Sequence, residues 1–174
     1  MEIPWIQLIV NALTILITAL LTYHFAKQRY TFEKLHDRKL ICLEEIYSKI
    51  ISLETDLNKY IITTGADMNK EVLHKKSETI APIMNKFFDL QKFFWEKEII
   101  LEEKTNISIQ LLIDHSIKVL SGLKASIISQ SISDPNTAYK QWNNSFQNME
   151  SKFAELKKQL KKEFRREIEK NYIT

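Results

Sequence analysis

Metal binding and proton transfer need histidine, cysteine or carboxylate groups brought close together, and this chain offers His24, His36, His74, His115 and a single cysteine, Cys42. These lie far apart in sequence, with no HExxH pair and no partner cysteines, so the spacing of a zinc site is missing. The nearest constellation is Glu71, His74 and Glu78, whose separations of three and four residues share one helix face if residues 67–78 are helical. Without a nucleophile beside it, that face reads as solvated polar surface. His36 with Asp37, and Asp114 with His115, are acid and base by type, but sequence neighbours on a helix point about 100° apart. Glycine-rich phosphate loops and a Gly-x-Ser-x-Gly elbow are absent, which removes the usual means of nucleotide and hydrolase chemistry. The sequence therefore predicts no catalytic residue, no metal site and no cofactor, and reads as a non-enzyme.

Any function must then come from surfaces, and the elements that carry them begin with the N-terminus. Ile6 to Tyr23 is an 18-residue run with no formal charge. As a helix it is about 27 Å long, close to the ~30 Å hydrocarbon thickness of a bilayer. Trp5 at one end, and Tyr23 with His24 at the other, stand where amphipathic rings settle at the headgroups. A cleaved signal peptide does not fit, because no Lys or Arg precedes the run and no small-residue cleavage site follows it. Lys27, Arg29, Lys34, Arg38 and Lys39 lie after the span and none before it, so the positive-inside bias puts the N-terminus outside and the body in the cytoplasm. The expected division is a transmembrane anchor over 1–25 and a helical cytoplasmic body over 26–174.

Within the anchor, Gln7, Asn11, Thr14, Thr18 and Thr22 are spaced 4, 3, 4 and 4 residues apart and occupy one arc of about 80°. Threonine can satisfy its hydroxyl on its own helix, but the amides of Gln7 and Asn11 have no partner in hydrocarbon. A second helix supplies one, worth about 0.6 kcal/mol on average per polar contact. These five residues form the expected self-association face, and enough copies would let the same stripe line a water-filled path.

The body reads as all-α, since two glycines and three prolines are too few for a turn-rich β protein. Leu43, Ile46, Ile50, Leu53, Leu57 and Tyr60 alternate spacings of three and four, the seam of helices packed side by side. Gly65 is placed to end that helix. A second long helix is expected from about Thr79, with Pro82 in its first turn and residues 67–78 as a short separate helix. It carries a seam of Ile83, Phe87, Leu90, Phe94 and Leu101 and a second stripe of Phe88 and Trp95, which implies two neighbours. The aromatic run Phe87-Phe88, Phe93-Phe94-Trp95 reads as core, since most of it falls on these seams, with a partner-binding face as the alternative. A third helix is expected from Thr105 as N-cap, and a last one from Asp134-Pro135, where Asp caps and Pro suits the first position. Trp142, Phe146, Met149, Phe153, Leu156 and Leu160 form its seam, which then shifts to Phe164 and Ile168. The reading is a long-helix antiparallel bundle continuing from the anchor; a three-helix body and an extended multi-chain coiled coil are the alternatives.

Lys157 to Lys170 holds seven basic residues against three acidic ones. Its Lys161, Lys162, Arg165 and Arg166 form an expected lipid-facing end, drawn to anionic headgroups, or else a solvated face with internal ion pairs. A net charge of only +3 with little aromatic interleaving argues against nucleic acid.

The uncharged span, the basic exit His24-Phe25-Ala26-Lys27-Gln28-Arg29-Tyr30 and the helix bearing Leu43-Glu44-Glu45-Ile46-Tyr47 resemble uncharacterised bacterial single-pass membrane proteins with an N-terminal anchor and a helical cytoplasmic body. Some proteins of that build accompany phage-defence or stress systems. The resemblance implies the bacterial inner membrane and carries no functional residues over. The expected function is a self-associating membrane protein whose body scaffolds or binds a partner, with membrane lipids and further copies of itself as partners. A pore-forming or membrane-perturbing effector is the alternative.

Overall fold

The computed structural model describes residues 4–64, 70–132 and 134–169, with the side chains of residues 6 and 70–73 outside the description. The protein is all-α, with no strand among the described residues. Helix α1 spans Pro4–Thr64, α2 Lys70–Lys97, α3 Glu103–Ser131, α4 Pro135–Asn148 and α5 Ala154–Glu169. A 3-10 turn at Glu98–Ile100 leads from α2 toward α3, and a π-helical turn at Met149–Phe153 joins α4 to α5. Asn148 and Ala154, which flank that turn, keep right-handed helical dihedrals, so α4 and α5 form one continuous rod.

Two compact units are present, Met1–Leu40 and Ile41–Thr174. In the first unit α1 is a single helix, and its apolar stretch contains the chain's one candidate membrane span among the described residues. None of that apolar window is buried, so it is not the core helix of the bundle.

The second unit is a four-helix bundle made of the rest of α1, α2, α3 and the α4–α5 rod. Leu43, Ile46, Ile50, Leu53, Leu57 and Tyr60 are all buried in it, as their 3.5-residue period requires. Contacts across the bundle fix its directions. Lys86 of α2 reaches Asp56 of α1 at 2.5 Å and Ser52 at 3.2 Å. Lys157 meets Glu54 at 2.6 Å while the rings of Phe164 and Tyr47 lie 6.2 Å apart, so α5 runs antiparallel to α1. On α3, His115 meets the Asn148 carbonyl at 3.1 Å and Thr105 meets Glu167, so the rod is antiparallel to α3 as well. The C-terminal end of α5 therefore lies at the end of this unit where residue 41 enters.

Several boundaries differ from the sequence reading. The end of α1 is not one of them: the helix stops at Thr64, one residue from the Thr63 the sequence indicates, with Gly65 itself outside the described residues. Helix α2 begins at Lys70 rather than Thr79, and Pro82 sits in its interior instead of its first turn. Pro82 and Glu78 are exposed, so water can satisfy the Glu78 carbonyl that loses its donor, while buried Ile80 and Ile83 hold the helix on the core either side of the proline. Phe87 and Phe94 are core, but Phe88 and Trp95 are 49% and 55% exposed, so none of the described elements covers the second stripe. The break between α2 and α3 makes the body four-helical, yet the N-cap of α3 is Glu102, in extended conformation, and Thr105 lies buried in the first turn. Asp134 caps α4 as its sequence requires, accepting from the Thr137 amide at 3.1 Å.

Gly122 sets the approach of α3 to α4. A methyl group there would overlap Ser145 Oγ, whose hydroxyl is turned back onto the Gln141 carbonyl at 2.9 Å.

Candidate functional site

The anchor stripe is exposed along its whole length. Thr14, Thr18 and Thr22 donate to the carbonyls of Val10, Thr14 and Thr18 at 2.8, 2.7 and 2.8 Å. Each hydroxyl is therefore satisfied within its own helix, and what these residues present outward is small and largely apolar. Thr14, Ile15, Thr18, Ala19, Thr22 and Tyr23 line a shallow groove there. Gln7 and Asn11 make no side-chain hydrogen bond among the described residues. The helix thus resolves the stripe into two chemistries, a ridge of threonines satisfied on their own backbone and two exposed amides with no side-chain hydrogen bond among the described residues.

The basic end is less uniform than its sequence. Lys161, Lys162 and Arg165 are exposed, whereas Arg166 is half-buried and paired with Glu163 on the preceding turn. Lys157, counted in the same basic run, is engaged by Glu54 of α1 through both carboxylate oxygens, at 2.6 and 2.7 Å. Of the four residues Lys161, Lys162, Arg165 and Arg166, three therefore face solvent, with Lys158 exposed one turn earlier.

Glu167 is a residue that sequence reasoning missed. It is fully buried; one oxygen accepts the Glu102 backbone amide at 3.0 Å, and the other accepts the Thr105 hydroxyl. Helix α3 has no side-chain cap of its own, so a carboxylate from α5 performs that task across the bundle. The signal was present in the spacing: continuing Met149, Phe153, Leu156, Leu160 by three and then four lands on Glu163 and Glu167.

The titratable groups with catalytic potential have structural occupations. His74 pairs with Glu78 at 3.2 Å on an exposed face, and the side chain of Glu71 lies outside the described residues. His24 bonds Gln28 at 3.0 Å, and His36 stacks on Phe32. Asp114 accepts from Gln110 rather than meeting its neighbour His115. Cys42 is buried beside Leu43. Burial pushes its thiol up to about 11, with Glu45 and Glu167 adding to the shift and Lys97 opposing it, so no thiolate forms at neutral pH. Among the described residues no group of three or more histidine, cysteine or carboxylate side chains is placed to hold a metal ion.

Against known proteins, the chain matches no family model, no curated protein and no solved structure.

Proposed function

We propose that this chain is a non-enzymatic, self-associating single-pass membrane protein of the bacterial inner membrane, with its N-terminus outside and a cytoplasmic helical body that scaffolds a complex or binds a partner. The observation that carries this reading is an apolar helical stretch of spanning length, none of it buried, with two amides on one face that have no side-chain hydrogen bond among the described residues. Hydrocarbon solvates the apolar faces and leaves Gln7 and Asn11 unsatisfied, and another helix is the partner that both satisfies them and excludes lipid. The basic residues after the span support the orientation. A reporter fused after Thr174 should read out the cytoplasm, and periplasmic activity would overturn it.

A pore-forming or membrane-perturbing effector, as in phage defence, is the second reading, favoured by the polar stripe itself. Controlled expression in a bacterial cell, with membrane potential and growth recorded, separates the two. Unchanged potential with a co-purifying partner supports the scaffold; depolarisation and arrest support the effector. A chain that stays monomeric in the membrane removes both.

A further inference from the structure

The self-association face does not stop at the bilayer. Gln7, Asn11, Thr14, Thr18, Leu21, Phe25, Gln28, Phe32 and Leu35 follow one another at spacings of 4, 3, 4, 3, 4, 3, 4 and 3 without a break. A straight helix drifts about 20° per heptad against such a repeat, so a strict seven-residue pattern keeps one face turned to a neighbour only if the helices supercoil. All nine residues are exposed in the structure, Leu21 by 52%, Phe25 by 63%, Phe32 by 51% and Leu35 by 55%.

The chemistry of the seam inverts as its surroundings invert. Up to Thr18, inside the apolar run, its members are amides and hydroxyls; from Phe25 onward, past the end of that run, three of its four members are large and apolar. The amides Gln7 and Asn11 inside the run and the apolar members beyond it are each mismatched to their medium, the threonines between them being satisfied on their own helix. A helix lying along both halves relieves both mismatches. Charge is segregated to suit. Lys27, Lys34 and Arg38 fall on a face centred roughly 130° around the axis from Phe25, Phe32 and Leu35. Arg29, nearer the seam, is neutralised by Glu33 at 2.8 Å.

We infer that residues 7–35 of α1 form a parallel, in-register coiled coil with a second copy of this chain, crossing from the membrane into the basic exit segment. The occupant is a second copy because a side-chain amide both donates and accepts, so Asn11 and Gln7 complement themselves, and only an identical chain brings them to the same depth in the same direction. Gln28, now bonded to His24, takes the core position at which a polar residue sets register and strand number. The inference rests on the self-association reading and extends it beyond the bilayer.

Single cysteines placed at 24–36 in the full-length Cys42→Ala protein, oxidised in native membranes, test it. Disulfide dimers should peak at 25, 28, 32 and 35 and fall to a minimum at 27, 30 and 34. With the reporter at 25, Phe32→Asp plus Leu35→Asp should cut dimer yield about tenfold, the cost of like charges placed together in a seam. Lys27→Asp plus Lys34→Asp, on the far face, should leave it unchanged. A flat profile over 24–36 with peaks retained at 11, 14 and 18 overturns the inference and spares self-association, whereas a flat profile throughout removes both. Adducts to a different protein overturn the second copy as occupant.

Discussion

Replacing Gly122 by alanine tests how the body is packed, and the outcome depends on one oxygen atom. Alanine at a mid-helix position is favoured over glycine by about 1 kcal/mol through backbone entropy. At Gly122 the added methyl overlaps Ser145 Oγ, while the other neighbours, Ser145 Cβ at 3.6 Å and the Gln141 carbonyl at 3.8 Å, are ordinary contacts. To make room, Oγ must leave its bond to Gln141, which costs about 0.5–1.5 kcal/mol, and the side chain must rotate in a packed interface at about 0.5–1.5 kcal/mol more. Gly122→Ala alone should therefore be neutral to about 2 kcal/mol destabilising. In a Ser145→Ala background the obstructing atom is gone, and the same change should stabilise by about 1 kcal/mol. Urea unfolding of the full chain in detergent measures this, with Trp5→Phe and Trp95→Phe leaving Trp142 as reporter beside Phe146, its ring 5.6 Å away. If Gly122→Ala has the same effect in both backgrounds to within about 0.5 kcal/mol, the close approach of α3 and α4 at this point is refuted.

Glu167→Ala removes a buried acceptor from the Glu102 amide and the Thr105 hydroxyl, so it should lower stability by about 2–4 kcal/mol, and Glu167→Gln by about half as much because it keeps one acceptor oxygen. Equal losses from both in thermal unfolding would show that volume, not the cap, matters. Cys42 has its thiol raised from 9.0 to about 11, so its contribution to stability is complete below pH 9 and fades as pH rises toward 11. At pH 7.5 the thiolate fraction is about a hundredfold below that of an ordinary thiol, so alkylation of the folded chain should be slow, and rapid labelling would contradict its burial. Gln7→Leu with Asn11→Leu should weaken dimers in membranes, because each lost polar contact is worth about 0.6 kcal/mol on average. An oligomer indifferent to both changes would sink the association claim.

What was legible in the sequence is what periodicity carries. The run from Leu43 to Tyr60 read as a seam and is buried throughout, and Asp134-Pro135 marked a helix start because both residues act locally. The misreadings came where tertiary contacts outweigh a local preference. Pro82 is a helix breaker by its own chemistry, but Ile80 and Ile83 anchor the helix on both sides of it. Thr105 has the makings of an N-cap, yet its hydroxyl serves Glu167, a residue 62 positions away. The shift of the seam to Phe164 and Ile168 holds, since Phe164 is buried and Ile168 packs against the core, but burial of the carboxylate Glu167 beside them was missed. Phe88 and Trp95 are the reverse case, apolar by type yet exposed, and nothing in α2 alone distinguishes them from Phe87 and Phe94.

The same contacts change the reading of the basic C-terminal end. Attraction to an anionic surface is worth roughly 1 kcal/mol for each basic residue close to it. Lys157 is held by Glu54 and Arg166 by Glu163, which leaves Lys158, Lys161, Lys162 and Arg165 exposed on α5, the last three nearest the end of the bundle where α1 enters. Lipid attraction should therefore follow these three. Arg166→Gln should act instead through stability, since it strips the partner from half-buried Glu163. The full chain in nanodiscs separates the effects: Lys161 and Lys162 should react more slowly with an amine-acetylating reagent in anionic than in zwitterionic lipid. At about 1 M salt, where the Debye length is near 3 Å, the difference should vanish. Arg165→Gln should shrink the difference at low salt and Arg166→Gln should not. Equal acetylation rates in both lipids at low salt would leave this end as a solvated helix face, its charges balanced within the bundle.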